Sequence, residues 1–259
     1  MKTFLIAILA SVIALPAAAQ EKEYAADNKN IINSALMGWQ IRLSAGYNIG
    51  GTAPLPLPRE IRTIEGYNPE LNFAIEGNAE KMFGQGNWGI RWGIRFETKG
   101  MTTKAGTKNY HMEAWNTDGS GKIQGAWTGK VKTSVKNSYL TLPVLAVYRI
   151  NGHWNMSAGA YASYLLDGEF TGEAYDGYIR DQNPTGEKAE VTCARYDFSR
   201  DIRKFNWGLQ AGCEYLAYRH LALFANLQWS INGIFPDNFS SVTFPLYPIY
   251  GTFGFTYLL

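Results

Sequence analysis

Side chains alternate between apolar and polar along much of this 259-residue chain. In residues 87–98, NWGIRWGIRFET, large apolar residues occupy every second position, and glycine, arginine or glutamate lies between them. A period of two predicts a β-strand, because successive side chains of a strand point to opposite faces. One such strand suits either a soluble sandwich, with its apolar face inward, or a membrane barrel, with its apolar face toward lipid.

The same alternation recurs in eight segments, which predicts an all-β fold. The segments lie near residues 39–49, 70–82, 87–99, 132–150, 154–168, 202–217, 220–233 and 246–259. Ten strands remain an alternative, because GTKNYHMEAW at 106–115 and AWTGKV at 126–131 could each add a strand or lengthen a hairpin. Both numbers are even, as bacterial outer-membrane barrels require.

The connections between the eight segments alternate in length. Short turns follow the second, fourth and sixth segments, at 84–87, 151–153 and 218–220. Long connections follow the others, at roughly 50–69, 100–131, 169–201 and 234–245. Short periplasmic turns and long extracellular loops are typical of outer-membrane barrels. We therefore expect a closed antiparallel up-and-down transmembrane β-barrel of eight strands, located in the bacterial outer membrane.

The start of the chain predicts export. Lys2 precedes an apolar run at Phe4–Leu15, and three alanines precede Gln20, which is the pattern of a cleaved secretory signal. The apolar run is too short for a membrane-spanning helix. We therefore expect a signal peptide at residues 1–19, a short periplasmic segment at 20–38 and the barrel domain at 39–259.

Aromatic residues predict one edge of a lipid-facing belt. If the short turns face the periplasm, tryptophans begin the upward strands and tyrosines end the downward ones at a common height. Such a girdle is characteristic of membrane barrels, whereas a general preference of aromatics for strands would not explain the common level. The predicted girdle consists of Trp39, Trp88, Tyr148, Trp154, Tyr215 and Tyr257.

The opposite face of these strands carries charge. An eight-stranded barrel has an interior just wide enough for side chains to fill, and charges there are tolerable only when they are paired and hydrogen-bonded. We therefore expect a plugged, salt-bridged lumen rather than an open channel. The predicted lumen-lining cluster consists of Arg42, Glu76, Arg91, Arg95, Glu97 and Glu214. Further positions expected to point inward are Glu80, Asp167, Lys204 and Gln210.

Neither composition nor motifs favour an enzyme. The formal net charge of +2 gives no reason to expect a nucleic-acid partner. Of the three histidines, His111 alone lies in a predicted extracellular loop, and no serine or aspartate near it has the spacing of a catalytic group. The carboxylates at 169–190 lack the regular spacing of a calcium loop. We expect no catalytic residue, no cofactor and no metal site.

Three stretches resemble a known family. YLTLPVLAVYR at 139–149 resembles the YLxxPxLxxY strand of the PorT-like outer-membrane β-barrel (porin-family) proteins of Bacteroidetes. LPLPREIRTIEGYNPE at 55–70 and AYDGYIRDQNPTGEK at 174–188 resemble loop segments of relatives in that group. The resemblance covers nearly the whole chain after the predicted signal peptide. It implies an outer-membrane barrel and, because its motifs are structural, transfers no active-site residue.

The last strand and the long connections suggest partners. TFGFTYLL at 252–259 looks like the C-terminal signal read by the barrel-assembly machinery, although Leu259 stands where phenylalanine or tryptophan is usual. We therefore expect that machinery and outer-membrane lipid as partners. Long loops on a rigid scaffold commonly carry binding sites. We expect a structural or surface-interaction protein whose loops contact a macromolecule, a glycan or another envelope protein. A small passive diffusion channel is the alternative, and a rim-located enzyme is third.

Overall fold

Antiparallel strands form nearly all of the regular structure in this computed structural model. It describes residues 38–84, 86–116, 122–181, 185–239, 241–242 and 244–259; the side chains of 112–116, 122–124 and 181 are not described. The signal peptide predicted at 1–19 and, apart from Gly38, the periplasmic segment predicted at 20–38 lie outside these residues. Residues Trp39–Leu259 form one compact unit.

Eight strands close into a ring. They are β1 (Trp39–Pro54), β3 (Phe73–Met82), β4 (Trp88–Asn116), β5 (Lys122–Arg149), β6 (Trp154–Asp181), β8 (Phe205–Tyr218), β9 (Leu221–Ser230) and β10 (Leu246–Leu258). Each pairs antiparallel with its two ring neighbours, and β10 pairs with β1 from Arg42↔Leu258 to Pro54↔Leu246. The prediction of a closed antiparallel barrel is therefore confirmed.

Two further strands lie outside the ring, and they are not the two that the sequence suggested. They are β2 (Ile61–Pro69), which pairs with β4, and β7 (Lys188–Asp197), which pairs with β6. The segments at 106–115 and 126–131 instead lengthen the β4–β5 hairpin. A short 3-10 helix at Ser199–Asp201 precedes β8. Within the described residues, no helix has the length and apolarity needed to cross a membrane.

Much of what the sequence suggested to be long loop is strand. The connections expected at 50–69, 100–131 and 169–201 consist largely of β2, β7 and the upper parts of β1, β4, β5 and β6. His111, expected in a loop, lies in β4. The physical reason is that the arms of these hairpins continue to pair beyond the barrel wall, and the bulges between them interrupt the pairing only locally. A membrane strand needs about 9–11 residues, so β4, with 29 residues, extends well beyond the bilayer.

The outward face of the lower barrel is a continuous apolar belt. Its large side chains are exposed, and Leu209 and Leu227 reach 52% and 57% exposure. The belt ends on the extracellular side at the paired positions Phe96↔Leu140, beyond which the outward residues become Thr98 and Ser138. Its members include Leu43, Ile75, Trp92, Ile94, Leu142, Val144, Met156, Trp207, Leu223, Phe253 and Phe255. A lipid-facing surface accounts for this exposure.

The extracellular strands enclose apolar cores of their own. At the tip, β7 pairs with β6 and with the end of β4, so β4, β5, β6 and β7 form a second, smaller ring. Its core contains the fully buried Trp127 together with Ala174, Ile179, Val191 and Ala194. Between this tip core and the lower barrel lies a second cluster of Met101, Val135, Phe170, Ile202, Ile234, Phe235 and Leu246.

A charge in the middle of the apolar belt should destabilise the barrel. Leu209 lies near the middle of β8, about half exposed, and an arginine at the bilayer midplane costs about 2–4 kcal/mol. We expect Leu209→Arg to lower the free energy of unfolding by that amount in urea titrations of protein folded into lipid vesicles.

Ser134→Arg is the matched control, because Ser134 points outward on the extracellular part of β5. Its effect should stay within about 0.5 kcal/mol. Equal losses in the two variants would contradict a lipid-facing position for Leu209.

Candidate functional site: the charged lumen and the extracellular strands

The periplasmic half of the lumen contains two arginines that share two carboxylates. Glu80 of β3 accepts hydrogen bonds from Arg42 Nη1 at 2.6 Å and from Arg91 Nε at 2.8 Å. Arg42 also forms an ion pair with Glu214 of β8, which Arg91 approaches at 3.5 Å. The four side chains come from β1, β3, β4 and β8, so the cluster connects opposite walls of the barrel.

A second cluster lies above the first. Arg95 donates from Nε to Glu76 at 2.6 Å and from Nη2 to Gln210 at 2.9 Å. Its Nη1 lies 3.7 Å from Glu97. Glu97 is fully buried and also accepts a hydrogen bond of 2.7 Å from the Thr141 hydroxyl. Buried carboxylates need such multiple partners, because an unpaired buried charge is strongly unfavourable.

Lys99 closes the charged region on the extracellular side. Its ammonium donates to Glu97 at 3.0 Å and to Gln228 at 2.8 Å. The same nitrogen lies 5.3–5.7 Å from the ring centroids of Tyr139, Tyr161 and Tyr250. Each such cation–π contact contributes about 0.5–2 kcal/mol. Lys99 is not among the lumen residues predicted from the sequence, although it continues the alternation of Arg91, Arg95 and Glu97 along β4.

The lumen is balanced in charge. Among the described residues, the buried charged side chains are four cations and four carboxylates: Arg42, Arg91, Arg95 and Lys99, and Glu76, Glu80, Glu97 and Glu214. The cavity beside Lys99 measures about 10 Å³, which is at the lower limit for one water molecule. Side chains therefore fill the cross-section at this level.

The structure places all six residues of the predicted lumen cluster inside the barrel, together with Glu80 and Gln210. Two other inward predictions are wrong, because Asp167 and Lys204 are exposed. A bulge between Ser138↔Asp167 and Tyr139↔Leu165 shifts the alternation of β6, which turns Asp167 outward. Lys204 precedes the first residue of β8, so the strand period does not fix its direction.

The six predicted girdle residues lie at the periplasmic ends of their strands. Trp88 and Tyr148 occupy paired positions with ring centroids 4.8 Å apart, and Trp154 and Tyr215 do so at 5.0 Å. The remaining two contact other rings: Trp39 lies 6.4 Å from Trp92, and Tyr257 lies 5.9 Å from His220.

Lysines dominate the outer face of the extracellular β4–β5 hairpin. Lys104 and Lys132 are directly paired, Lys130 lies opposite Gly106, and Lys136 lies opposite Gly100. Lys130 approaches Asp176 at 3.5 Å. Within the described residues, no carboxylate lies in ion-pair contact with Lys104, Lys132 or Lys136. We call Lys104, Lys130, Lys132 and Lys136 the lysine face.

Two of the three histidines take part in structural contacts at the periplasmic turns. His153 stacks on Tyr215 at 5.9 Å, and His220 Nδ1 lies 3.0 Å from the Leu258 carbonyl oxygen. In the part of the chain that the structure describes, no group of three or more histidine, cysteine, aspartate or glutamate side chains is arranged to hold a metal ion.

Comparison with known proteins identifies the domain. A family model described as "Outer membrane protein beta-barrel domain" matches residues 18–236. One similar solved structure is that of Ail, the attachment invasion locus protein of Yersinia pestis, in complex with the heparin analogue sucrose octasulfate. Its sequence is 13% identical to this chain, and the two structures align with a TM-score of 0.36 over 86% of this chain and 100% of Ail. The Ail backbone structure in a phospholipid bilayer nanodisc is 14% identical, with a TM-score of 0.27 over 85% and 99%. No curated protein matches this chain.

Removing one carboxylate from the lumen should strongly destabilise the barrel. Glu80 accepts hydrogen bonds from two buried arginines, and breaking a buried ion pair from one side costs about 3–5 kcal/mol. We expect Glu80→Gln to lower the free energy of unfolding in lipid vesicles by this amount.

Glu169→Gln removes the same charge from the exposed outer face of β6 and should change the free energy of unfolding by less than about 0.5 kcal/mol. An equally small effect of Glu80→Gln would show that the lumen cluster contributes little to stability.

Proposed function

Because the chain belongs to the family of outer membrane proteins with a β-barrel domain, we propose that it is a non-conducting barrel that acts as a surface-interaction protein. The protein lies in the bacterial outer membrane. Its lower part is the membrane-spanning ring, and its upper strands carry the interaction surface outside the cell. The barrel-assembly machinery is the proposed partner during biogenesis, and β10, which closes the ring, carries the C-terminal segment that this machinery would read.

The observation that carries this proposal is the filled lumen beneath a folded extracellular sheet. Four cations and four carboxylates pair across the barrel, and the apolar cluster around Phe170 and Phe235 lies above them. Ions would have to displace these contacts to pass. The extracellular strands, in contrast, are longer than barrel closure requires and contain a separate core around Trp127.

The lysine face favours an acidic partner. Four cationic side chains project from two adjacent strands. Lys132 and Lys136 have Glu173 and Glu169 of β6 as cross-strand neighbours, but no ion pair with a described carboxylate forms at either lysine or at Lys104. Such a surface attracts an anionic partner by long-range electrostatics. Of the three partner classes expected from the sequence, an acidic glycan fits this surface best.

A diffusion channel is the second candidate and a rim enzyme the third. The channel would require a continuous path among the luminal charges, and the paired geometry of Arg42, Arg91 and Arg95 argues against one. We propose that the protein is not an enzyme. His153 and His220 make structural contacts, and His111 lies on β4 as part of a regular strand.

We also propose that the chain belongs to the PorT-like group of Bacteroidetes. The support is the strand at 139–149, whose Tyr139 and Leu145 point into the barrel and whose Leu140 faces outward. This spacing of large side chains arises because successive residues of one strand point alternately into the lumen and toward lipid.

A filled lumen should not conduct. We expect protein that is folded, as shown by heat-modifiable gel mobility, to give no stable current steps in a planar lipid bilayer. A porin of known conductance inserted into the same bilayer is the positive control that shows the assay detects an open path. Uniform steps from the unmodified protein would overturn the non-conducting assignment.

Neutralising the lysine face should weaken binding to an acidic glycan. We expect the triple variant Lys104→Gln, Lys132→Gln and Lys136→Gln to lose about tenfold in affinity for a sulfated polysaccharide, since about 0.5 kcal/mol for each of three charges near an anionic surface adds up to that factor. Binding of the unmodified protein should weaken as salt rises.

The control triple variant Lys81→Gln, Lys188→Gln and Lys204→Gln removes the same charge at positions outside the lysine face. Both variants losing affinity equally would mean that net charge, not this surface, determines binding. An unmodified protein that does not bind would count against an acidic glycan as partner.

A further inference from the structure

A cavity of about 120 Å³ lies inside the extracellular half of the barrel. It is separate from the lumen cluster, because the strand positions that line it follow Lys99 along β4. Its side formed by β4 and β5 is lined by Met101, Thr103, Ala105, Thr107, Val131 and Thr133. The opposite side is largely aromatic and includes Phe170, Tyr196, Phe198 and Phe244.

The size of the side chains on β4 creates this space. At its lower inward positions the strand carries Arg91, Arg95 and Lys99, which cross the lumen to partners on other strands. At the level of the cavity the inward residues are Thr103, Ala105 and Thr107, which are too short to reach the aromatic wall. Atoms that line an unfilled space lose packing contacts, so an empty cavity is unfavourable for stability.

The cavity offers little to water. Among the described residues no charged side chain lines it, and the polar lining groups are the hydroxyls of four threonines, two tyrosines and Ser241. The Thr133 and Tyr196 hydroxyls lie 2.6 Å apart and hydrogen-bond each other, and the Thr107 hydroxyl donates to the Gly129 carbonyl oxygen at 3.1 Å. Burial raises the pKa of Tyr196 to about 12, so its phenol is neutral at pH 7. The cavity is partly open to solvent, but its wall is mostly apolar and offers a water molecule few free polar partners.

We propose that this cavity binds a small uncharged apolar molecule about the size of one aromatic ring. A cavity of about 150 Å³ lined by aliphatic and aromatic side chains is known to accept benzene. Here the ring pairs Tyr110–Phe244 and Tyr196–Phe198, with centroids 5.6 and 5.4 Å apart, provide faces and edges for a further ring. The cavity lies beyond the Phe96↔Leu140 end of the apolar belt, so the ligand arrives from the extracellular side and not from the bilayer.

The test uses fluorobenzene as the probe and the full-length barrel folded into lipid nanodiscs. We expect fluorine NMR to show a saturable bound component in the unmodified protein above the background of empty nanodiscs. Ala105→Leu fills the space from the β4 wall and should abolish that component. Ser134→Leu adds the same side chain to the outer face of β5, next to the cavity-lining Thr133, and should leave binding unchanged.

Two further measurements separate a specific site from partitioning into lipid. Thr133→Val keeps the shape of the wall and should retain binding within about twofold, whereas the anion fluorobenzoate should not bind. If Ala105→Leu fails the heat-modifiability test for folding, Thr103→Leu fills the same cavity two positions away. Saturable binding that persists in the filled variant, equal binding of fluorobenzoate, or no saturable component in the unmodified protein would each overturn the proposal.

Discussion

The hydrogen bonds between the first and last strands are the constraint on which the barrel depends. β1 and β10 pair over thirteen consecutive positions, from Arg42↔Leu258 to Pro54↔Leu246. In the hydrocarbon core of a bilayer each unsatisfied peptide group costs several kcal/mol, so a sheet with open edges is excluded there. Closure in turn encloses half of the side chains of every strand in a narrow space. The composition of the lumen is therefore a consequence of backbone pairing.

The enclosed charges also specify the register of the strands. A slip of one residue in β4 would exchange its two faces, moving Arg91 and Arg95 into lipid and Trp92 and Ile94 into the lumen. Both exchanges are unfavourable, because charges in lipid are costly and the buried carboxylates of the lumen would lose their cationic partners. An interior of apolar side chains would give a weaker distinction between the two registers. The charge pairs thus fill the lumen and also specify which face of each strand points into it.

Period-two alternation was sufficient to predict the ring, its eight strands and most inward residues, because a membrane wall imposes opposite chemistry on successive side chains. The same rule failed at Asp167, where a bulge in β6 shifts the alternation. Lys99 is the last residue of the predicted segment 87–99 and was not counted among the inward charges, so its contacts with three tyrosines were missed. Above the membrane either face of a strand can be exposed to solvent or packed against a neighbouring strand, so the apolar–polar alternation weakens. For this reason the strands β2 and β7 and the small ring at the tip were mistaken for loops.

The small ring at the tip has a consequence for the entropy of recognition. A flexible loop that orders on binding loses about 1–2 kcal/mol of backbone conformational entropy for each residue fixed. Most of the described residues above the membrane in β4, β5, β6 and β7 are already held by cross-strand hydrogen bonds and by the core around Trp127. A partner that docks on these strands therefore contacts a pre-organised surface. The loss of backbone conformational entropy has already occurred during folding and does not weaken binding. Even a modest number of contacts can then yield stable association.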